Sequence, residues 1–86
     1  MDRETALEKS QSLYDAGDEV GRYIFMHLCC DGELNELSVA TAKDGRFKGV
    51  TFPLLPSGLD RFKKSVEREG FSIEVRTAQD YLRGMA

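Results

Sequence analysis

Apolar positions along this chain recur with two different periods, and the switches between them divide it into segments. Residues 2–16 put Ala6, Leu7, Leu13 and Tyr14 on a loose heptad seam, with Gly17 placed to end a helix. Next comes "VGRYIFMHLCC", rich in aromatic and branched residues and closed by Asp31-Gly32, which reads as a strand entering a two-residue hairpin turn. A second Asp-Gly pair, Asp44-Gly45, separates "ELNELSVATAK" from "RFKGVTFP". Three strands in a meander are predicted.

Two-residue turns fix which residues oppose one another. Leu28 then faces Asn35, Met26 faces Leu37 and Ile24 faces Val39, while across the second turn Val39 faces Val50 and Leu37 faces Phe52. One side of the sheet becomes continuously apolar and has to be buried. The other carries Tyr23, Phe25, His27, Cys29, Ser38, Ala40, Phe47, Gly49 and Thr51, a mixture of rings with small or polar residues.

Pro53 and Pro56 end the third strand, and Ser57 with Asp60 is placed to cap a helix whose stripe is Leu59, Phe62 and Val66. Gly70 suits the C′ position of that helix, with Phe71 supplying its apolar contact. The helix turns Arg61, Lys63, Lys64 and Arg68 outward. "FSIEVR" alternates, so it reads as a fourth strand with Phe71, Ile73 and Val75 inward; Thr77 with Asp80 then opens a terminal helix that buries Tyr81 and Leu82. The predicted fold is one small α+β domain over residues 1–86, in the order α-β-β-β-α-β-α, with a mainly antiparallel sheet and a helix on one face.

Composition agrees with a single domain: 86 residues, 41% hydrophobic and 31% charged. The net charge of −3 hides an asymmetry, because residues 1–36 hold nine acids against three bases, whereas residues 37–86 hold nine bases against six acids. One basic surface and one acidic region are expected. No stretch approaches the ~20 apolar residues of a membrane helix, and "MDRETALEKS" lacks a signal-peptide pattern, so an intracellular protein without membrane contact is expected. Cys29 and Cys30, adjacent in the predicted strand, would point to opposite faces as small hydrophobes, which fits a reducing compartment.

His27 and Cys29 have neither the further ligands of a closed metal site nor the orienting group and oxyanion donors of a thiol nucleophile. No glycine-rich phosphate loop leads into a helix. Neither a cofactor nor enzymatic chemistry is expected. The mixed sheet face carries the stronger functional expectation: Tyr23, Phe25 and Phe47 as stacking platforms for unpaired bases, and Arg22, Arg46, Lys48 and Lys63 as phosphate contacts.

The segment "RYIFMHL", and "VTFP" followed by "GLDRFKKSVE", resemble the strand and strand-proline-helix portions of repeats in the PUR family of single-stranded nucleic-acid binders, over about Arg22 to Glu67. The resemblance implies a curved antiparallel sheet, single-stranded DNA or RNA bound on one side, and pairing of two units as a homodimer. In this chain the acidic "CDGELNE" stands where such repeats carry an arginine-glycine-arginine segment. A competing expectation is a protein-interaction module that docks its acidic amino-terminal region on a basic partner.

Overall fold

The structure, a computed structural model, describes residues 1–84. Four helices surround a three-stranded sheet: α1 (Arg3–Asp15), α2 (Glu19–Cys29), β1 (Ser38–Ala42), β2 (Thr51–Leu54), α3 (Pro56–Arg68), β3 (Ile73–Thr77) and α4 (Ala78–Leu82), with short 3-10 turns at Leu34–Glu36 and Gly45–Phe47. All pairing is antiparallel and β1 is central, in the order β2-β1-β3.

The first two helices form a tight hairpin because one residue serves both. Gly17 adopts φ 88°, its N–H meets the Tyr14 carbonyl at 3.0 Å, and the Asp18 N–H meets the Leu13 carbonyl at 2.9 Å, the paired bonds of a Schellman cap. Asp18 then starts α2, its side chain accepting from the N–H groups of Val20 and Gly21. Gly21 lets the helices approach, since a Cβ there would lie 2.2 Å from the Leu13 Cβ.

The main core lies between this hairpin, α4 and one face of the sheet. Ala6, Val20, Ile24, Leu28, Leu37, Val39, Ala78 and Leu82 are its buried members, and each large aliphatic side chain there contributes ~1.5–3 kcal/mol by leaving water. Along β1, Val39 enters this core, so Ala40 and Ala42 face the other way. That second face carries Phe52 and Ile73, and α3 covers it with Phe62 and Val66; the Phe52 and Phe62 rings lie 5.5 Å apart.

"VGRYIFMHLCC" is α2 rather than a strand, so the sheet has three strands instead of four. Ile24 and Leu28, four apart, share one helical face and enter the core, while Met26 between them is 51% exposed. Asp31-Gly32 ends that helix. Asp31 takes φ 63°, the Gly32 N–H reaches the His27 carbonyl at 2.9 Å, and the Asp31 N–H reaches that of Leu28 at 3.2 Å.

Asp44-Gly45 does lie between β1 and β2, but inside a longer loop. The register therefore pairs Val39 with Pro53 and Ala40 with Phe52, three residues from the two-residue-turn expectation. Because three is odd, Phe52 changes face. Helices consequently cover both faces of the sheet instead of one. The start of α3 also differs: Leu55 is the N-cap and Pro56 the first helical residue, where Ser57 was expected to cap. The Gly70 cap, the strand within "FSIEVR" and the Thr77–Asp80 cap form as read, but Val75, expected inward, is 39% exposed, whereas Arg76, expected outward, is half-buried. Both cysteines are exposed and free, since a helix does not bury its whole circumference as the predicted strand would have.

Candidate binding surface

The seven expected contact residues do not share a sheet face. They fall into two groups on opposite layers.

Arg46, Phe47 and Lys48 occupy the β1–β2 loop, which the backbone folds back on itself. The Ala42 N–H donates to the Val50 carbonyl at 3.0 Å and the Gly49 N–H donates to the Ala42 carbonyl at 2.8 Å, closing the loop at its base. Asp44 anchors its flank: one carboxylate oxygen accepts from the Ser72 N–H and the other from the Ser72 hydroxyl, both at 2.9 Å. The main-chain bond from Ser72, followed by its hydroxyl, holds the Asp44 carboxyl below the ordinary aspartate range. At Gly45, φ is 72° and a Cβ would lie 1.9 Å from the Phe71 ring, so only glycine fits.

Phe71 is brought to the same place by the end of α3. The Gly70 N–H reaches the Glu67 carbonyl and the Phe71 N–H reaches the Val66 carbonyl, each at 3.0 Å, which folds Phe71 back over the helix. Phe47 meets Phe71 edge to face with centroids 6.1 Å apart, and the Arg46 guanidinium stands 4.7 Å over the Phe47 ring. Phe47 remains 43% exposed. Beside it opens a cleft of about 680 Å³ lined by Arg46, Phe47, Ser65, Val66, Glu69 and Phe71. Under that cleft, and sharing Phe47, Val66 and Phe71 with it, is a purely apolar cavity of about 40 Å³.

Lys63 is exposed on α3 but not beside this cleft. At ~100° per residue, Lys63 lies on one side of the inward Phe62 and Arg61 on the other, and Arg61, Ser65 and Arg68 share the cleft flank. Ser65 and Glu69 were not marked as site residues by the sequence. The Gly70 cap that places Phe71 was the available signal.

Arg22, Tyr23 and Phe25 belong to α2 in the opposite layer. Arg22 stands 5.7 Å over the Tyr14 ring, and Phe25 meets Tyr14 edge to face at 5.7 Å. Tyr23 and Met26, three apart, are 43% and 51% exposed on the outer side of α2. His27 is occupied locally, its Nε2 lying 3.1 Å from the Glu33 carbonyl and 3.5 Å from Glu36 Oε2. Cys29 is two positions further round the helix, a spacing at which side chains do not face one another.

The sheet separates the charges. Residues 1–36, which hold α1 and α2, carry nine acids against three bases, whereas the segment 43–71 on the other face carries seven bases against four acids. Among the described residues, no helix is long and apolar enough to cross a membrane. No family model, curated protein or solved structure matches the chain.

Proposed function

We propose that this chain is a small non-enzymatic binding protein that contacts single-stranded nucleic acid through the cleft between the β1–β2 loop and α3. The observation that carries this reading is the Arg46–Phe47 pair: a cation held 4.7 Å over a half-exposed ring, at the mouth of a cleft with an apolar floor. A ring in that position offers a face or edge to an unpaired base, worth ~1–3 kcal/mol per stacked base. Arg46 and Lys48, with Arg61 and Arg68 along the neighbouring flank of α3, supply cations for the phosphates on either side.

Titration of labelled oligonucleotides at several salt concentrations tests it. Four phosphate contacts give a slope of log affinity against log salt of about −3 for a single strand. Phe47→Ala should weaken binding ~5- to 150-fold with the slope unchanged, whereas Arg46→Ala should weaken it and flatten the slope by about one contact. An oligonucleotide signal that is absent, or indifferent to both substitutions, overturns the proposal.

A second reading rests on a different observation. Tyr23 and Met26 form an exposed apolar stripe on an acidic helical hairpin, the surface expected of a module that docks on a basic protein partner. Tyr23→Ser with Met26→Ser would abolish capture of such a partner and leave oligonucleotide binding intact.

A further inference from the structure

The two edges of the sheet are chemically unlike. On the β2 side, the bond from the Ala42 N–H to the Val50 carbonyl (3.0 Å) sets the hydrogen-bonded pairs, and alternation continues them at Ala40–Phe52 and Ser38–Leu54. Thr51 and Pro53 therefore turn their main-chain groups outward, and Pro53 has no N–H to offer. That edge is interrupted.

On the β3 side, the Lys43 N–H donates to the Ser72 carbonyl (2.9 Å) and the Ala78 N–H to the Leu37 carbonyl (3.2 Å). These bonds lie in the same register as Thr41–Glu74 and Val39–Arg76, so Glu74 and Arg76 bond inward to β1. Ile73 and Val75 turn their N–H and carbonyl groups outward, and among the described residues no backbone segment lies against them. Val75 is 39% exposed. No proline interrupts this edge.

We infer that two copies of this chain pair through β3, antiparallel about a two-fold axis at Val75, to make one continuous six-stranded sheet. The charges choose the register. For the outward groups to meet, Ile73 and Val75 have to pair among themselves or with Thr77, whose N–H alone is available because its carbonyl begins α4, which leaves few alignments. Placing Ile73 opposite Val75 sets Glu74 against Glu74, and placing Val75 opposite Thr77 sets Arg76 against Arg76; both cost energy. Centring on Val75 instead sets Glu74 of each copy opposite Arg76 of the other, twice by symmetry, and puts the two Val75 side chains together. The segment is self-complementary in that one alignment.

Sedimentation equilibrium from micromolar to millimolar chain tests the inference. The expected mass rises with concentration from 9.7 kDa toward twice that value, and the Val75 amide exchanges more slowly as it does so. Val75→Pro copies on this edge what Pro53 does on the other, so the chain should fold yet remain monomeric. Glu74→Arg and Arg76→Glu should each be monomeric alone, and an equimolar mixture of the two should recover the doubled mass. Circular dichroism on each variant separates loss of pairing from loss of fold. A wild-type mass that stays at one chain up to millimolar overturns the inference, as does a dimer that survives Val75→Pro.

Discussion

The Tyr81 hydroxyl donates a hydrogen bond to Asp18, 63 residues away in sequence. Asp18 Oδ2 takes that bond while Oδ1 accepts from the Val20 and Gly21 amides, so one carboxylate both starts α2 and ties the α1–α2 hairpin to α4. Arg76 stands 5.9 Å over the same tyrosine ring. The carboxyl-terminal helix is thus fixed to the amino-terminal hairpin by a polar contact at the rim of the main core.

This link has a pH signature. Burial first, and then the hydrogen bond to Asp18, push the Tyr81 phenol up from 10.0 to about 12. The folded pKa is the higher one, so the contribution is complete below pH 10 and is lost as pH rises from 10 toward 12. Tyr81→Phe should lower stability by ~1.5–3 kcal/mol at pH 8, as for a bond to a charged acceptor. The gap between wild type and variant should close toward pH 12. Urea unfolding followed by circular dichroism at both ends of that range checks it; a constant gap would place the effect in packing.

Gly21 and Leu13 pose a contest of sign. Alanine is favoured over glycine by at most ~1 kcal/mol in the first turn of α2, yet a Cβ at position 21 would meet the Leu13 Cβ at 2.2 Å. A Cβ cannot rotate away, so the helices have to separate, which costs ~1–3 kcal/mol in a packed interface. Gly21→Ala should be net destabilising despite its better propensity. Leu13→Gly tests the cause: combined with Gly21→Ala, it should lose less stability than the sum of the two single changes in a thermal-melt cycle.

The glycine also explains what the sequence concealed. "VGRYIFMHLCC" has strand-forming composition, but its core residues are Val20, Ile24 and Leu28, spaced four apart, and the Asp-Gly pair that follows suits either a hairpin or a helix end. Both structures need a residue at positive φ, and nothing local says which. Tertiary packing against α1 decides it, and that contact is invisible in a linear pattern. Features set by neighbours in sequence were legible: α1 with its Gly17 end, the Gly70 cap and the Thr77 cap. At the site, Arg46, Phe47 and Lys48 were legible as a group because they are contiguous. Their assembly with Phe71, Ser65 and Glu69 depends on where α3 returns to the sheet, so it was not.

Asp31 bears the cost of that ambiguity. It occupies the C′ position of α2 at φ 63°, where a Cβ is disfavoured. Replacing it with glycine keeps both capping bonds, which come from main-chain groups, and relieves the strain. Asp31→Gly should raise stability by up to about 1 kcal/mol, a gain of several degrees in melting temperature for a domain of this size. Gly17→Ala and Gly70→Ala should each move it the other way, since both sit at positive φ with open space around them and only the backbone objects.

Asp44 and Ser72 provide a test of the loop separate from that of the core. The Asp44 carboxyl titrates below its ordinary 3.8 because it accepts two hydrogen bonds from Ser72. A depressed folded pKa means that this anchor is complete above pH 3.8 and weakens as pH falls through the lower folded value. Phe71, the residue between Gly70 and Ser72, packs on Phe47, so freeing the Asp44–Ser72 contact loosens the cleft before it reaches the main core on the other face of the sheet. Amide exchange should therefore show Ser72 losing protection in Asp44→Ala while Ile24 and Leu28 keep theirs. Oligonucleotide affinity should drop in the same variant although no positive charge has been removed. Equal loss of protection in the loop and in α2 would mean that the two faces unfold as one unit.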